Sequence, residues 1–171
     1  MNILITGATG LIGKSLTKKL REKGHSVKTL TRKLTGQKDE FIWNIQEEII
    51  DENAFENLDA IIHLAGAPIS KRWTDSYKKE LLNSRTKSAE LLLNYCKQLN
   101  INLKAFISAS GINYYGTFTS NEILDENSGV IQKDFLAEVC KQWEAASDQF
   151  DEISHRVVCL RTGLVLSKND G

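Results

Sequence analysis

A doubly wound α/β domain built on a parallel sheet is the fold this sequence predicts, on three observations. Short apolar runs such as Asn2 to Thr6 and Asp59 to Ala65 suit strands buried on both faces. They alternate with amphipathic stretches of about ten or more residues, the length a right-handed parallel crossover needs. A glycine cluster follows the first strand directly. With 171 residues and 41% hydrophobic content the chain supports one core, so residues 1–171 are expected to form a single domain.

The elements follow in order. Asn2 to Thr6 (NILIT) is the first strand. Leu11 to Lys23 places Leu11, Ile12, Leu16 and Leu20 at helical spacing, with lysines opposite and Gly24 as the stop. His25 to Thr31 reads as a second strand and Leu34 to Glu40 as a polar loop. Phe41 to Trp43 suits a brief third strand, and the acidic stretch after it, to about Asn57, reads as helical. Asp59 to Ala65 (DAIIHLA) is the fourth strand, closed by Gly66 and Pro68. Thr74 or Asp75 caps a long helix reaching about Leu99. Leu103 to Ser108 is a fifth strand, Asp134 to about Gln149 a helix, and Arg156 to Leu160 a sixth strand.

Lys plus Arg equals Asp plus Glu at 22 each, so charge gives no reason to expect nucleic acid or an anionic membrane as partner. No apolar run reaches the roughly 18 residues of a membrane span. Cys96, Cys140 and Cys159 are odd in number and widely spaced, which fits idle thiols in a reducing compartment. A cytoplasmic location, a small-molecule partner and an open question of homo-oligomerisation are the expectations.

The chemistry sits in the glycine turn Thr6-Gly7-Ala8-Thr9-Gly10-Leu11-Ile12-Gly13. Its glycines, three apart, form a spacing variant of the dinucleotide fingerprint. Gly7 makes the tight turn, Gly10 admits the pyrophosphate to the main chain, and Gly13 lets the helix pack closely on the sheet. The helix start, at Leu11 and Ile12, then offers N–H groups and positive dipole to phosphate. The end of the second strand bears on cofactor choice. An acid roughly 20 residues on would bind a ribose hydroxyl, but Thr31-Arg32-Lys33 stands there instead. Arg32 suits a 2′-phosphate, so NADP is expected and NAD is expected to be less favoured. The bland alternative leaves Arg32 and Lys33 as solvated charges.

These residues resemble the short-chain dehydrogenase/reductase superfamily, in its extended or atypical branch. More narrowly the chain is similar to the sugar-nucleotide-epimerase-like (NAD-dependent epimerase/dehydratase) family. The resemblance rests on TGATGLIG at Thr6–Gly13, LTR at Leu30–Arg32, DAIIHLAGAPI at Asp59–Ile69, KRW at Lys71–Trp73 and NSR at Asn83–Arg85. It continues in SASGINYYG at Ser108–Gly116, FLAEVCKQWE at Phe135–Glu144 and LRTGLVL at Leu160–Leu166. It implies that Thr9 lies in the cofactor turn and that Leu64, Ala65 and Gly66 pass beneath the adenine and ribose. It also implies that Ser108 to Ser110 end a strand beside the nicotinamide and that Arg161 sits near the cofactor or substrate mouth. Relatives of this type carry more chain after the sixth strand, so the substrate-binding lobe is expected to be largely absent here, as in a truncated form or a fragment.

The superfamily's chemistry uses a Tyr-x-x-x-Lys pair, in which lysine lowers the tyrosine pKa so that the phenol exchanges a proton while hydride moves. Here Phe135 and Val139 occupy those places, and sliding by one gives Leu136 and Cys140. None of these four restores the pair. The candidate substitutes are Ser110, as a polar contact to substrate or nicotinamide amide, and Tyr115, as proton donor or as a packed aromatic. Trp73 is either a lid or a loop anchor, Arg85 either a phosphate ligand or a surface ion pair, and His63 a satisfied core residue. Two readings follow. One is an NADP(H)-binding domain of an epimerase/dehydratase-like oxidoreductase acting on a nucleotide sugar or another small carbonyl compound. The other is a non-catalytic cofactor-binding or sensor domain, with a poorly folding remnant as a third outcome.

Overall fold

The computed structural model describes residues 1–129 and 131–167. Its spine is a seven-stranded sheet. Strand β1 (Asn2–Thr6) leads through helix α1 (Leu11–Glu22) to β2 (Ser26–Thr31), and a loop carries the chain to β3 (Glu40–Asn44) and β4 (Ile49–Ile50). The chain then crosses back to β5 (Ala60–His63), helix α2 (Asp75–Gln98), β6 (Ala105–Gly111), helix α3 (Phe135–Asp148) and β7 (Val157–Thr162). The strand order is β4-β3-β2-β1-β5-β6-β7, with every pairing parallel except β3 with β4. The expected doubly wound α/β class therefore holds, with an antiparallel edge added.

That edge corrects one expectation. The acidic stretch after β3 is not a helix: Trp43 pairs with Ile50 and Asn44 with Ile49, so the chain doubles back as a hairpin. Glu48 takes a left-handed φ of 55° in the turn, and only one 3-10 turn, Glu52–Phe55, follows, capped by the Asp51 side chain at Asn53 N. Burial decides this, because Trp43, Ile50, Ala54 and Phe55 all enter the core, which a solvated helix would not allow.

The core has two parts, one on each face. Ile3, Ile5, Val27 and Ile62 pack with Leu16 and Leu20 of α1. On the other face Leu4, Leu30, Ile61 and Phe106 pack with Leu91, Leu92 and Cys96 of α2 and with Phe150. Alternate residues of one strand thus feed opposite faces, which is why these strands read as unbroken apolar runs. Winding reverses between β1 and β5. In open α/β sheets the crevice beyond the strand ends at such a reversal is where ligands bind.

Candidate cofactor site

Gly7 leaves β1 with φ of +71°, a conformation glycine adopts without strain. A Cβ there would lie 2.8 Å from the Leu64 carbonyl carbon, so only a glycine lets the turn pass against the end of β5. At Gly13 a Cβ would lie 2.7 Å from Ala8 Cα and 2.9 Å from Gly7 C. The helix therefore lies directly on the turn. Both expected roles are met, while Gly10 is less crowded, its nearest contact being Gly7 O at 3.4 Å.

The start of α1 differs from the other helices. Thr74 caps α2 by accepting from Tyr77 N, and Asp134 caps α3 by accepting from Ala137 N. Gly10, the N-cap of α1, supplies no side-chain cap, and no acid stands in the first turn. The first ring closes from Lys14 N to Gly10 O at 2.9 Å. The N–H groups of Leu11, Ile12 and Gly13 precede that closure and have no intrahelical carbonyl to meet, so they face the strand ends as donors. A cradle that side chains would fill, floored by amides and free of acids, fits a diphosphate.

Thr6 ties the two halves of the crevice together. Its Oγ1 accepts from Leu64 N and Ala65 N, both at 3.1 Å, so its proton points to His63 Nδ1 at 2.8 Å. His63 Nε2 then carries the ring proton, donating to Ser88 Oγ at 3.1 Å, and Ser88 donates onward to Ser84 O at 2.7 Å. The tautomer is assigned from this network. Burial lowers the His63 pKa from its ordinary 6.5 to about 4, with the Arg85 charge adding to it. His63 is thus a satisfied core histidine.

Arg85 takes neither expected role. It is buried, donates to Leu81 O and Ala67 O, and stacks over Trp143 at 4.9 Å. A Cβ on Gly66 would meet its guanidinium carbon at 3.0 Å. Arg85 therefore props the loop after β5 from below. Trp73 is anchored, with Nε1 donating to Ile69 O and its ring edge-on to Phe135 at 5.5 Å.

At the β6 and β7 ends a second cluster forms around Glu144. Ser110 Oγ donates to Glu144 Oε1 at 2.6 Å, and Arg161 grips the same carboxylate through Nε at 2.9 Å and Nη2 at 2.8 Å. Arg161 Nη1 also donates to Tyr115 Oη at 3.1 Å, and Tyr115 Oη donates to Asp125 O at 2.9 Å. The guanidinium lies 3.5 Å from the centre of the Tyr114 ring. Hydrogen bonds donated to Glu144 raise the Arg161 pKa further above its ordinary range. Arg161 and Tyr115, expected as cofactor and proton-donor residues, are thus engaged with each other and with protein groups. Cys140 lies beside Gly111, 3.6 Å from the position of a Cβ there, and burial pushes its thiol up. In the sequence Glu144 is singled out by nothing beyond its place in FLAEVCKQWE. Its place eight residues after Leu136, on one helical face with Cys140, was the available signal.

The chain is similar to known proteins over nearly its whole length. The chain matches the NAD dependent epimerase/dehydratase family over residues 3–167. It belongs to that family. Among curated relatives, the epimerase family protein MT2273 of Mycobacterium tuberculosis is 34% identical over 170 residues, covering 99% of this chain and 55% of the relative. The chloroplastic SDR39U1 homolog of Arabidopsis thaliana is 34% identical, covering 100% of this chain and 51% of the relative. The chain spans about half the length of these relatives. The human epimerase family protein SDR39U1 (isoform 2), solved with NADPH, superposes with a TM-score of 0.82 at 32% identity, covering 100% of this chain and 56% of that one.

More distant structural neighbours correct the cofactor expectation. MoeE5 with UDP-glucose and NAD has a TM-score of 0.76 at 22% identity. The Bacillus cereus UDP-glucuronic acid 4-epimerase with NAD has 0.74 at 20%. These and other structural neighbours at 17–22% identity hold NAD, so the expectation that NAD is the less favoured cofactor does not stand. The structure supplies a reason. Arg32 is exposed past the end of β2, and the cleft of about 380 Å³ beside Thr9 is lined by Lys14, Lys18 and Arg21 but also by Glu22 and Glu40. Hydrogen bonds from Thr35 hold the Glu40 carboxyl below its usual range, so a carboxylate stands there as well. Strand pairing of Thr29 with Glu40 brings it in, which no count along the chain reveals. Among the described residues no helix is long and apolar enough to cross a membrane.

Proposed function

We propose that residues 1–171 form the nicotinamide-dinucleotide-binding domain of an epimerase/dehydratase-like oxidoreductase acting on a nucleotide sugar or another small carbonyl compound. The observation that carries this reading is the uncapped, acid-free start of α1 set against a turn in which Gly7 and Gly13 cannot bear a Cβ. Gly7, Thr9, Gly10 and Gly13 with the amides of Leu11 and Ile12 hold the diphosphate. Leu64, Ala65 and Gly66 form the bed under the adenosine half, and Ser110 marks the nicotinamide end. When bound, the cofactor supplies hydride transfer, and the residues of this chain position it and the partner carbonyl. Membership in the family and the company of NAD- and NADPH-bound relatives support the reading. Both dinucleotides are admitted.

One observation favours a second reading, a binding domain that catalyses nothing by itself. Phe135 packs its ring on Trp73, and Leu136 and Cys140 carry no proton-transferring pair beside Ser110. Calorimetric titration with NADH and NADPH tests what both readings share, and saturable heat is expected with at least one. Absence of uptake by the folded protein would sink both. Oxidation of NADPH or NADH across a panel of carbonyl compounds then separates them.

A further inference from the structure

Helix α1 carries two stripes toward the sheet, and they meet it differently. Leu16 and Leu20 pack on Ile3, Ile5 and Val27. Lys14, Thr17, Lys18 and Arg21, at spacings of three and four, form the neighbouring stripe. Opposite it stand Thr29 and Thr31, the alternate residues that follow Val27 on the same face of β2. Polar side chains on both walls leave a cleft of about 380 Å³ where packed layers ordinarily interlock, and Gln37 and Glu40 line it as well.

Thr17 is the anomaly in that cleft. It is only 9% exposed, and its hydroxyl has no hydrogen-bond partner among the described residues. On the other helices the hydroxyls of Thr86, Ser88 and Ser147 donate to the carbonyl four residues earlier. Thr17 forgoes that bond, and an unmet buried hydroxyl costs stability until something meets it. Threonine keeps two χ1 wells on a helix, so one rotamer step turns the hydroxyl toward the cleft.

Charge decides the class of ligand. The whole chain balances at 22 cations and 22 anions, yet from Lys14 to Lys38 nine Lys and Arg stand against one acid, Glu22. Glu22 is itself 3.9 Å from Lys18, and Glu40 is taken up by Thr35 and Gln37. Among the described residues no carboxylate lies within ion-pair distance of Lys14. Such a wall draws an oxyanion, and the threonines suit hydroxyl groups beside it. Lys14 to Arg21 is two helical turns, about 10 Å, so the cleft runs down α1 and away from the strand ends. We propose that it is a second ligand site, taking a small hydroxylated oxyanion, either a phosphate ester or a hydroxy acid, on Lys14, Lys18 and Thr17. It meets the dinucleotide site along Ala8 and Thr9, and Arg32 does not line it. The site stands whether or not the cofactor-binding reading does.

The probes are glycerol 3-phosphate and malate, with inorganic phosphate and glycerol as partial mimics. Calorimetric Kd values are measured for the unaltered protein, Thr17→Val and Lys14→Gln. At least one of the first two probes should bind saturably, and whichever binds names the head group. Inorganic phosphate should bind about fivefold more weakly or worse, and glycerol should give no heat. Thr17→Val keeps the shape and removes the hydroxyl, so it should weaken the bound probe about fivefold, the value of one hydrogen bond. Without ligand the same variant should melt about 3 °C higher, since it deletes an unmet buried group. Lys14→Gln should weaken the probe and leave the melting temperature in place. NADH should bind Thr17→Val with an unaltered Kd, and should bind alongside the probe. No saturable uptake at millimolar concentration, or a probe indifferent to Thr17→Val, would overturn the proposal. Equal affinity for inorganic phosphate would do the same, as would a Thr17→Val protein that melts lower. One-for-one displacement of the probe by NADH would give the cleft to the dinucleotide and overturn it too. Uptake of the probe without any uptake of NADH would support this site and sink the cofactor reading alone.

Discussion

The two ends of this crevice are built from different materials. At β1 and β5 the site is main chain: Gly7 and Gly13, which tolerate no Cβ, amides left open at the start of α1, and Thr6 bridging to Leu64 and Ala65. At β6 and β7 it is side chain, with Ser110, Tyr115, Glu144 and Arg161 joined in one network drawn from two strands, a loop and a helix. A main-chain site is specified by a few consecutive residues. A side-chain network is specified by where distant residues meet, and it can be broken one residue at a time.

The sharpest way to break the second end is Arg161→Met. Glu144 is largely buried, and without the guanidinium only Ser110 remains as its donor. Removing one partner of a buried ion pair leaves an uncompensated charge, for which a loss of about 3 kcal/mol in unfolding free energy is expected. Urea denaturation measures it. The double variant Arg161→Met with Glu144→Leu should recover much of that loss, since apolar replacement of both partners is often close to neutral. If Arg161→Met costs nothing, the network at this end is ornamental.

Next in size is a pH effect at the first end. Burial holds His63 neutral, with its pKa lowered from 6.5 to about 4. Above pH 6.5 the residue is neutral whether the chain is folded or not, and its contribution to stability is complete. As pH falls from 6.5 the unfolded chain takes up the proton and the folded chain does not, so stability declines until about pH 4. The total is about 3 kcal/mol. Unfolding free energies for the unaltered protein and His63→Gln, measured at intervals between pH 7 and pH 4, should converge as pH falls. Parallel curves would mean that the Thr6–His63–Ser88 chain does not titrate as described.

Legibility in the sequence follows the same division. The turn at Gly7 to Gly13, helices α1, α2 and α3, and the cap of α2 at Thr74 or Asp75 were legible, because each depends on neighbours in the chain. The hairpin of β3 and β4 was not. Its acidic residues suit a helix locally, and only the burial of Ile50 and Phe55 against α2 overrides that preference. Arg85 was misjudged for a related reason. A cation on a long helix reads as surface unless one knows that Ala67 O and the Trp143 ring enclose it. Glu40 escaped because β3 delivers it beside Thr29 of β2 by pairing.

The smallest expected change in stability gives the finest test of the comparison. Helices α2 and α3 close their first turns with side chains, whereas α1 ends at Gly10 and offers its amides instead. Gly10→Asp would give α1 the cap it lacks. The backbone there, at φ −76° and ψ 174°, is already that of a capping residue, and a Cβ meets only Gly7 O at the ordinary distance of 3.4 Å. Aspartate in place of glycine at such a position gains a few tenths of a kcal/mol, so the melting temperature should rise by about 1 °C. Binding should move the other way. The new carboxylate occupies an amide that a diphosphate needs and repels the phosphates, so NADH affinity should fall by about tenfold or more. Gly10→Asn supplies the same cap without charge, and the gap between the two variants measures the repulsion alone. A protein that becomes more stable yet binds NADH undiminished would show that these amides were never reserved for phosphate. Stability and affinity moving in opposite directions would tie the open helix end to the ligand.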